Sequence, residues 1–388
     1  MRRKSFLRNS SLNQIIEHEW VLPALGKHKI GFGICAESGI VMQSPSPNPK
    51  DIQRYYKYTA TYNNPGREGR PSIAKVIDLN RLLHIVIDVV GYMPDSVFQV
   101  GCSDGYTLFR FKETGVKTIN GIDPSIASHE VANKLYGIDT IIGSIENYND
   151  FTQKYDLIVL THVLEHLFNP VDCLKKCSLM QKDGAWLLIE VPLFERLDLF
   201  PPGLLTLEHL NYFSEGTIIE AITMSGYVPR FIGKYFNNHD YPVITVVCRK
   251  YDKIRPIQSE DYLKNKRLLN EYILQESTTW GKIEKKIKCL LSKMTKVYIY
   301  GAGIHTSQLL AFTDLENYLN IVSLLDSSPT KWGIQLGELK CYNPNDINIQ
   351  KGDYIIISSF ASEEEIFNQL SQHRQNGVNI LKLYGDDQ

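Results

Sequence analysis

Short apolar segments alternate with segments of helical periodicity through the middle of the chain. Residues 73–91 carry apolar side chains at helical spacing and end at Gly91, which predicts an amphipathic helix closed by a glycine. Apolar strands separated by helices of this kind indicate a parallel sheet covered on both faces. The five predicted strands are VFQV at 97–100, TINGID at 118–123, DTIIGS at 139–144, YDLIVL at 155–160 and AWLLIEV at 185–191.

The alternation stops near residue 250 and resumes at KVYIYGAG, residues 296–303, so two α/β units are predicted. Before the first unit the sequence is mixed and turn-rich, with one short strand that runs into the Pro/Ser loop SPSPNP. After AWLLIEV come an insertion, a helix and a pair of strands that close the first unit. The segment between the two units is charge-dense and helical in pattern. The predicted regions are 1–72 (N-terminal), 73–250 (first α/β domain), 251–294 (helical connector) and 295–388 (smaller C-terminal α/β domain).

Composition and charge exclude several classes of partner. Hydrophobic residues make up 43% and charged residues 22% of the 388 residues, as in ordinary globular proteins. The formal net charge of −1 gives no basic surplus for nucleic acid or an anionic membrane surface, so neither partner is expected. No apolar run approaches membrane-spanning length, and MRRKSFLRNSSLNQ lacks the apolar segment of a signal peptide. A cytoplasmic location is therefore expected.

The seven cysteines predict neither a disulfide framework nor a metal site. Their number is odd, their spacing is irregular, and no CxxC pair is present. Cys173 and Cys177 would share one helix face, but no second pair of ligands lies nearby in the sequence. We expect these two thiols to be buried small apolar groups, and no metal ligands are predicted.

The stretch QVGCSDG, Gln99–Gly105, follows the first strand and opens a helix, as a nucleotide-cofactor turn must. Small residues at 101, 103 and 105 let the backbone approach a ligand, and the helix start offers free N–H groups. The dinucleotide pattern GxGxxG is absent, and the spacing GxSxG favours a smaller, carboxylate-bearing cofactor over a pyrophosphate. Taken alone, the same letters also suit a simple turn between a strand and a helix.

Asp123 ends the second strand, where a carboxylate can accept hydrogen bonds from both hydroxyls of a ribose; a role at the start of the next helix is the alternative. Gly143–Ile145 falls where the third strand would flank an adenine, and Thr161–His162 ends the fourth strand at the same sheet edge. The predicted cofactor-binding residues are Gly101, Cys102, Ser103, Gly105, Asp123, Pro124, Ser144, Ile145, Thr161 and His162.

VFQVGCSDG, GIDPS, YDLIVLTHVLEHLFNP and EHLNYFSEGTI together resemble class I S-adenosylmethionine-dependent methyltransferases. They are most similar to the sugar C-methyltransferases that act on nucleotide-linked deoxysugars. GICAESGIVMQSPSPNP resembles the N-terminal zinc knuckle of that branch, and the GAG-containing region resembles its C-terminal Rossmann-like domain. The resemblance implies a Rossmann-like class I methyltransferase core, a second, smaller Rossmann-like domain, S-adenosylmethionine as cofactor, and a substrate cleft between the two domains.

In that family a Tyr-x-Glu-His segment supplies the acid/base group, and the matching segment here is Thr206-Leu207-Glu208-His209. Independently of the family, a histidine with an ordinary pKa near 6.5 suits proton transfer, so His209, with Glu208, is predicted to be catalytic. The alternative is a histidine that shapes the acceptor pocket by bonding to loop backbone. Two further departures from the family are Gln99, where an acidic residue is usual, and Ser38, which stands where Cys35 would have a partner cysteine.

Tyrosines and arginines before the core are candidate acceptor contacts. Aromatic faces stack on sugars or bases, and arginine forks match diphosphates. We therefore expect Tyr62 and Arg70, together with Tyr212 in the insertion, to contact a small-molecule acceptor. The acceptor implied by the resemblance is a nucleotide-activated sugar, methylated on carbon or oxygen in glycan or natural-product biosynthesis.

Gly301-Ala302-Gly303, with Asp326 at the end of the next strand, is a rival dinucleotide signal. Thr306 occupies the third glycine position and no catalytic pair accompanies it. Two alternatives to a methyltransferase stay open: an NAD-dependent oxidoreductase that uses this motif, and a non-catalytic sugar-binding descendant of a methyltransferase. The sequence leaves the acceptor, the methylated atom and the oligomeric state undetermined.

Overall fold

The computed structural model of the chain describes residues 3–23, 25–58, 71–200, 203–236, 242–251 and 254–385. It begins with a small antiparallel sheet of three N-terminal strands, to which a fourth strand at Asn211–Tyr212 is added, in a region that the sequence pattern predicts to be mixed and turn-rich. The long hairpin was missed because its strands alternate only loosely between buried and exposed positions. Its strands and the two helices that follow are β1 (Leu12–Leu22), β2 (Gly26–Cys35), β3 (Val41–Gln43), α1 (Pro49–Tyr58) and α2 (Ile73–Val90).

Helix α2 agrees with the predicted amphipathic helix. Ser72 caps its start by accepting a hydrogen bond from the Lys75 amide, and Gly91 ends it in the left-handed conformation at φ 83°. Its apolar face packs on the next sheet, which is built from the strands and helices predicted for the core. These are β4 (Ser96–Val100), α3 (Tyr106–Glu113), β5 (Thr118–Asp123), α4 (Ile126–Tyr136), β6 (Ile141–Ile142), β7 (Tyr155–Thr161), α5 (Pro170–Leu179), β8 (Gln181–Pro192), β9 (Asn211–Tyr212), α6 (Glu215–Met224), β10 (Tyr227–Phe236) and β11 (Pro242–Lys250).

The core sheet has seven strands in the order β10-β11-β8-β7-β4-β5-β6. Strands β6, β5, β4, β7 and β8 are parallel, and β11 and β10 close one edge as the predicted antiparallel pair. Leu157 and Val159 pack with α2 and α3, whereas Ile158 and Leu160 pack with α5 and α6. Both faces of the sheet are therefore covered, which confirms the predicted Rossmann-like core.

Three local predictions need correction. The third strand is reduced to Ile141–Ile142. The sequence pattern predicts one helix over residues 163–184, but the helix after β7 begins only at Pro170, because residues 164–166 form a separate 3₁₀ turn. Proline suits the first position of a helix, because an amide hydrogen at that position would have no acceptor within the helix. The polar residues 181–184 belong to β8 rather than to the end of α5.

The predicted connector is largely one 29-residue helix, α7 (Tyr262–Leu290), which leads into the second parallel sheet. This sheet has the order β14-β15-β13-β12-β16-β17 and confirms a second, smaller Rossmann-like domain. No described helix has the length and apolarity that crossing a bilayer requires. The elements of this domain are β12 (Lys296–Tyr300), α8 (Ile304–Phe312), α9 (Leu315–Tyr318), β13 (Asn320–Leu325), β14 (Gln335–Leu336), β15 (Leu339–Tyr342), β16 (Tyr354–Ile357), α10 (Glu363–Gln369), α11 (Ser371–Gln375) and β17 (Asn379–Leu381).

Candidate active site

The turn between β4 and α3 lies where the strand order of the core sheet reverses, because β5 and β7 flank β4 on opposite sides. Gly101, Ser103 and Gly105 all have positive φ, at 68°, 49° and 75°. A Cβ on Gly101 would lie 2.5 Å from Val163 Cγ2, so only glycine fits at this position without displacing a neighbour. Open α/β sheets bind ligands at this kind of switch point.

Asp123, at the end of β5, is bonded to the backbone on both sides. Its Oδ2 accepts from the Ser103 amide at 2.8 Å, and its Oδ1 accepts from the Ser125 amide at 2.9 Å. Burial raises the pKa of Asp123 although these two hydrogen bonds act in the opposite direction. A carboxylate oxygen can accept more than one hydrogen bond, so this group still has acceptor capacity for hydroxyl donors.

The other predicted cofactor residues lie in different environments along this edge. Pro124 is exposed, Ser144 and Thr161 are half-buried, and Cys102 is buried behind the turn, where its thiol pKa is raised by burial. Ile145 is 2% exposed and packs into the core, so its side chain does not lie open at the sheet edge. The cofactor contacts of these residues stay predictions.

Two polar features of the turn were not predicted. Lys75 on α2 forms an ion pair with Asp104, with its Nζ 2.7 Å from Oδ1, which ties α2 to the turn. Gln99 is 3% exposed, and its Oε1 accepts no hydrogen bond within the described residues. The residue that stands in place of the usual acidic one therefore keeps an unpaired acceptor beneath the turn.

A charged cluster follows the carboxyl end of β7. His162 has φ 55°, a strained value for a residue other than glycine, and its Nδ1 lies 3.3 Å from Glu165 Oε1. Burial acts to lower the pKa of His162, but the adjoining carboxylates of Glu165 and Glu190 raise it above its ordinary value. Burial likewise opposes ionisation of Glu165, yet the rings of His162 and His166 lower the pKa of Glu165 to about 2.

Glu190 on β8 is the second buried carboxylate of this region. Both of its oxygens bind the Arg81 guanidinium of α2, at 2.9 and 3.1 Å, and Thr245 on β11 also donates to it. His162 Nε2 lies 3.9 Å from Glu190 Oε1. Arg81 thus compensates the charge of Glu190, in the fork geometry that arginine offers a carboxylate.

The insertion after β8 brings Glu208 and His209 against this cluster. The Leu210 amide donates to the Glu165 carbonyl at 2.7 Å, and His166 Nδ1 bonds to the Glu208 carbonyl at 3.0 Å. The rings of His166 and His209 meet edge to face, with centroids 4.9 Å apart. The two segments were each singled out in the sequence, but their contact was not.

The imidazole of His209 is partly buried and makes no hydrogen bond or ion pair within the described part of the chain. Burial lowers the pKa of His209 to about 3, and the nearby His166 ring acts in the same direction. Its ring is therefore neutral near pH 7, with one nitrogen lone pair available. The carboxyl of Glu208 is half-buried.

Arg3 and Asn211, which the sequence did not mark, hold the insertion in place. Asn211 Nδ2 donates to the carbonyls of Leu164 and Leu167 at 3.0 and 2.7 Å. Arg3 donates to the Leu210 and Phe168 carbonyls and to Asn211 Oδ1. Burial lowers the pKa of Arg3 to about 10, and these buried acceptors offset the cost of burying its charge.

Tyr212 is buried beneath the insertion at 4% exposure. Its hydroxyl donates to the Leu204 carbonyl at 3.1 Å and accepts from the Thr206 amide at 3.3 Å, so it braces the insertion from below. Acceptor contact by Tyr212 stays a prediction, and it would require this ring to become uncovered. Tyr62 and Arg70 lie outside the described residues.

The polar groups of the Gly301–Gly303 motif and of Asp326 in the C-terminal domain are bonded to one another and to neighbouring residues. The Ala302 amide donates to Asp326 Oδ2 at 3.0 Å, and Lys331 Nζ lies 3.0 Å from the same oxygen. Thr306, at the third glycine position, donates to the Gly301 carbonyl and to Ser358 Oγ. The lysine beside Asp326 distinguishes this edge from that of Asp123.

Residues 51–229 match the family model of a methyltransferase domain. The match covers a little under half of the chain, and with the seven-stranded fold and the glycine turn it supports a class I S-adenosylmethionine-dependent methyltransferase domain in this part of the chain. Residues 293–381 match a second model, described as C2185-like, N-terminal, which covers most of the smaller sheet.

Two curated relatives have sequences similar to parts of the chain. A tRNA U34 carboxymethyltransferase of Campylobacter hominis is 31% identical over 114 residues, which are 27% of this chain and 40% of that protein. A ubiquinone biosynthesis O-methyltransferase of Shewanella halifaxensis is 27% identical over 148 residues, which are 36% of this chain and 60% of that protein. The chain therefore spans about half the length of these relatives.

Solved methyltransferase structures are similar to this chain at lower sequence identity. The 1,6-didemethyltoxoflavin-N1-methyltransferase of Burkholderia thailandensis is 12% identical with TM-score 0.42, over 60% of this chain and 100% of that one. The N-methyltransferase NodS of Bradyrhizobium japonicum is 13% identical with TM-score 0.39, over 52% of this chain and 97% of that one. The family model, rather than these structures, identifies the domain.

Proposed function

We propose that the chain transfers the methyl group of S-adenosylmethionine to a small acceptor, a nucleotide-activated sugar. The observation that carries the cofactor part is the pair of hydrogen bonds that Asp123 accepts from the amides of Ser103 and Ser125, which holds a carboxylate across the glycine turn. Such a carboxylate suits the two hydroxyls of a ribose. The open backbone at Gly101–Gly105 suits the amino acid part of the cofactor.

The residues present fit this cofactor. Gly101 leaves no room for a side chain beside Val163, and Gln99 keeps a buried acceptor without a partner among the described residues. S-adenosylmethionine supplies, when bound, a methyl group on a positively charged sulfur. The protein's part is to hold donor and acceptor in line and to exclude water, which is where most of the rate gain of such a displacement arises.

Support for the acceptor class comes from the resemblance to sugar methyltransferases and from the way the three regions pack together. The insertion that carries Glu208 and His209 lies in one apolar cluster with β1, β2, α7 and α8. It also contacts the C-terminal domain, because Gln308 Nε2 on α8 donates to the Gly203 carbonyl at 3.1 Å. An acceptor site near this insertion would therefore be bounded by all three regions, including the two domains between which the resemblance implies a substrate cleft.

His209, assisted by Glu208, is the predicted proton acceptor. Its unpaired ring nitrogen next to the β7 cluster supports this role, whereas burial, which lowers the pKa of His209 to about 3, makes the ring a weaker base than an ordinary histidine. In the proposed step an oxygen–carbon or carbon–carbon bond forms to the methyl group while the sulfur–carbon bond breaks. The sulfur keeps that electron pair and becomes a neutral thioether, and the acceptor proton passes to the base.

The experiment is a methyl-transfer assay with isotope-labelled S-adenosylmethionine and separate panels of nucleotide sugars, phenolic quinone precursors and tRNA transcripts. The two latter panels represent what the names of the relatives say those proteins act on. We expect one nucleotide sugar to gain one labelled methyl group by mass spectrometry. Methylation of only a quinone precursor or only tRNA would replace the proposed acceptor and leave methyl transfer in place.

The residue roles are tested on the acceptor found. We expect His209→Ala to lower kcat by about 100-fold or more, in the range that general-base catalysis contributes. Glu208→Gln leaves the backbone carbonyl that binds His166 in place, and we expect a smaller effect because Glu208 only assists the base. The exposed His84→Ala serves as control. Full turnover of His209→Ala would remove His209 from the chemistry.

A further inference from the structure

We propose that Glu165, His166 and His209 bind one divalent transition-metal ion of the zinc class. One ligand atom from each of these residues lies within 4.8 Å of the other two, and this is the single such group among the described residues. Two imidazoles and one carboxylate are a ligand set of zinc sites that keep a position open for water or substrate. The proposal goes beyond methyl transfer.

Glu165 supplies the strongest evidence. Its side chain is 2% exposed, and neither carboxylate oxygen accepts a hydrogen bond within the described residues. The nearest group is His162 Nδ1, at 3.3 Å but outside hydrogen-bond geometry. His162 offsets part of the charge of Glu165, but both carboxylate oxygens keep acceptor capacity that a bound cation would use.

His166 has the orientation that metal-bound histidines show. In the neutral ring its Nδ1–H donates to the Glu208 carbonyl at 3.0 Å, which leaves the lone pair on Nε2. That Nε2 lies 4.0 Å from Glu165 Oε1. Histidine ligands commonly donate their second nitrogen to a backbone carbonyl in this way, which fixes the tautomer and the direction of the ring.

The two segments that carry the ligands are joined rigidly. The Leu210 amide donates to the Glu165 carbonyl, so the residue after His209 is bonded to the segment that carries Glu165 and His166. Asn211 and Arg3 add hydrogen bonds across the same junction. A ligand set held by such supports loses little entropy on binding a cation.

The site adjoins the cofactor turn through Val163, whose Cγ2 lies against Gly101. Three protein ligands leave a coordination position for an acceptor oxygen, and a coordinated hydroxyl loses its proton more readily. This role rests on the proposed methyl transfer and favours O-methylation over C-methylation. It also replaces His209 as the proton acceptor, because the ring lone pair of His209 would be bound to the cation. The binding of the cation itself does not depend on it.

The test is calorimetric titration of the full chain, freed of metal with a chelator, with Zn²⁺, Mn²⁺ and Mg²⁺ in separate runs. The Cys289→Ser background removes the exposed thiol as a competing zinc ligand. We expect one equivalent of Zn²⁺. Because loss of even an outer-shell partner weakens metal sites by roughly 10–100-fold, we expect Glu165→Gln and His209→Ala to weaken zinc binding by about 100-fold or more. His84→Ala, on an exposed histidine, should bind as the parent does.

Cobalt substitution gives a spectroscopic readout. Co²⁺ at this site should show visible d–d absorption without the thiolate charge-transfer band that cysteine ligands produce. Thermal melts check that each variant is folded. If Glu165→Gln does not fold, His209→Ala still tests the site, because His209 is partly exposed and its replacement should disturb the core less. Absence of zinc binding, or equal binding by the folded His209→Ala variant, overturns the proposal.

Titration of the same samples with S-adenosylhomocysteine separates the two claims. Zinc binding without S-adenosylhomocysteine binding would keep the metal site and reject the proposed function. S-adenosylhomocysteine binding without zinc would do the reverse. A His209→Ala variant that binds zinc normally but has lost turnover would assign His209 to proton transfer and overturn its place among the ligands.

Discussion

Two single residues, Gly101 and Asp123, define the shape and the charge of the candidate cofactor site. Both were predicted from the local sequence, because the positive φ of Gly101 and the strand-end position of Asp123 depend on nearby chain alone. Glu165 was not predicted as a site residue. Its proposed role as a metal ligand depends on His209, which lies near it only in the folded insertion, and no local periodicity encodes that proximity.

Gly101→Ala tests the turn at the level of one Cβ. The new methyl group would meet Val163 Cγ2 at 2.5 Å in a backbone that already has positive φ, so the turn must shift. We expect S-adenosylhomocysteine affinity to fall about tenfold or more, which corresponds to about 1.4 kcal/mol of binding free energy. Calorimetric titration measures this change.

Gly115→Ala is the matched control, because Gly115 has φ 97° and a Cβ added there would have no neighbouring atom within 4 Å. It should lose about 1 kcal/mol or more of stability from backbone strain, while its cofactor affinity stays at the parental value. Equal affinity in the two variants would show that the turn does not shape the cofactor site.

The insertion between β8 and α6 is the element on which the site depends. Its tip lies against the 3₁₀ turn at 164–166 through side-chain and backbone hydrogen bonds, whose partners are far apart in sequence. The regular elements were predicted well, since periodicity and capping are local signals. The β1–β2 hairpin and the position of the insertion were not, because both are decided by tertiary packing.

Asn211→Ala removes the donors that join these two segments. The carbonyls of Leu164 and Leu167 would be left buried without that partner, and we expect a loss of about 2–3 kcal/mol in the free energy of unfolding. Urea denaturation measures the loss. Asn149→Ala, at an exposed position with one local hydrogen bond, should change stability by less than about 0.5 kcal/mol. Similar losses in both variants would contradict the account of this junction.

At the scale of the whole molecule, α7 connects the methyltransferase core to the C-terminal sheet. Glu276 on this helix is 4% exposed and accepts from the Gly203 amide of the insertion at 2.8 Å, while Tyr272 binds the adjacent Leu204 amide. Burial raises the pKa of Glu276 to about 7, against the opposing effect of the Gly203 amide and Tyr272. The carboxyl also faces the phenols of Tyr212 and Tyr384.

A pH-dependent stability follows from this carboxyl. Its folded pKa of about 7 exceeds the ordinary value of 4.5, so its contribution to stability is fully present below pH 4.5 and is lost as pH rises through 7. The difference of about 2.5 units corresponds to about 3 kcal/mol. Glu276→Gln keeps the acceptor for Gly203 and cannot ionise.

We expect Glu276→Gln to match the parent near pH 4.5 and to exceed it by up to about 3 kcal/mol at pH 8. Thermal and urea unfolding across this range measure the difference between the two proteins, which cancels the contributions of other groups. A constant difference at all pH values would mean that Glu276 has the same pKa in the folded and the unfolded protein, which contradicts a raised folded pKa.

We propose that the β4–α3 turn and Asp123 bind S-adenosylmethionine. The most direct measurement is calorimetric titration of the full chain with S-adenosylhomocysteine, in parallel with Asp123→Asn and the exposed control Asp88→Asn. We predict one equivalent bound by the parent and by Asp88→Asn. Because hydrogen bonds to a charged group contribute about 1.5–3 kcal/mol, we predict roughly tenfold or greater weakening in Asp123→Asn. No binding by the parent, or equal binding by Asp123→Asn, would contradict the account.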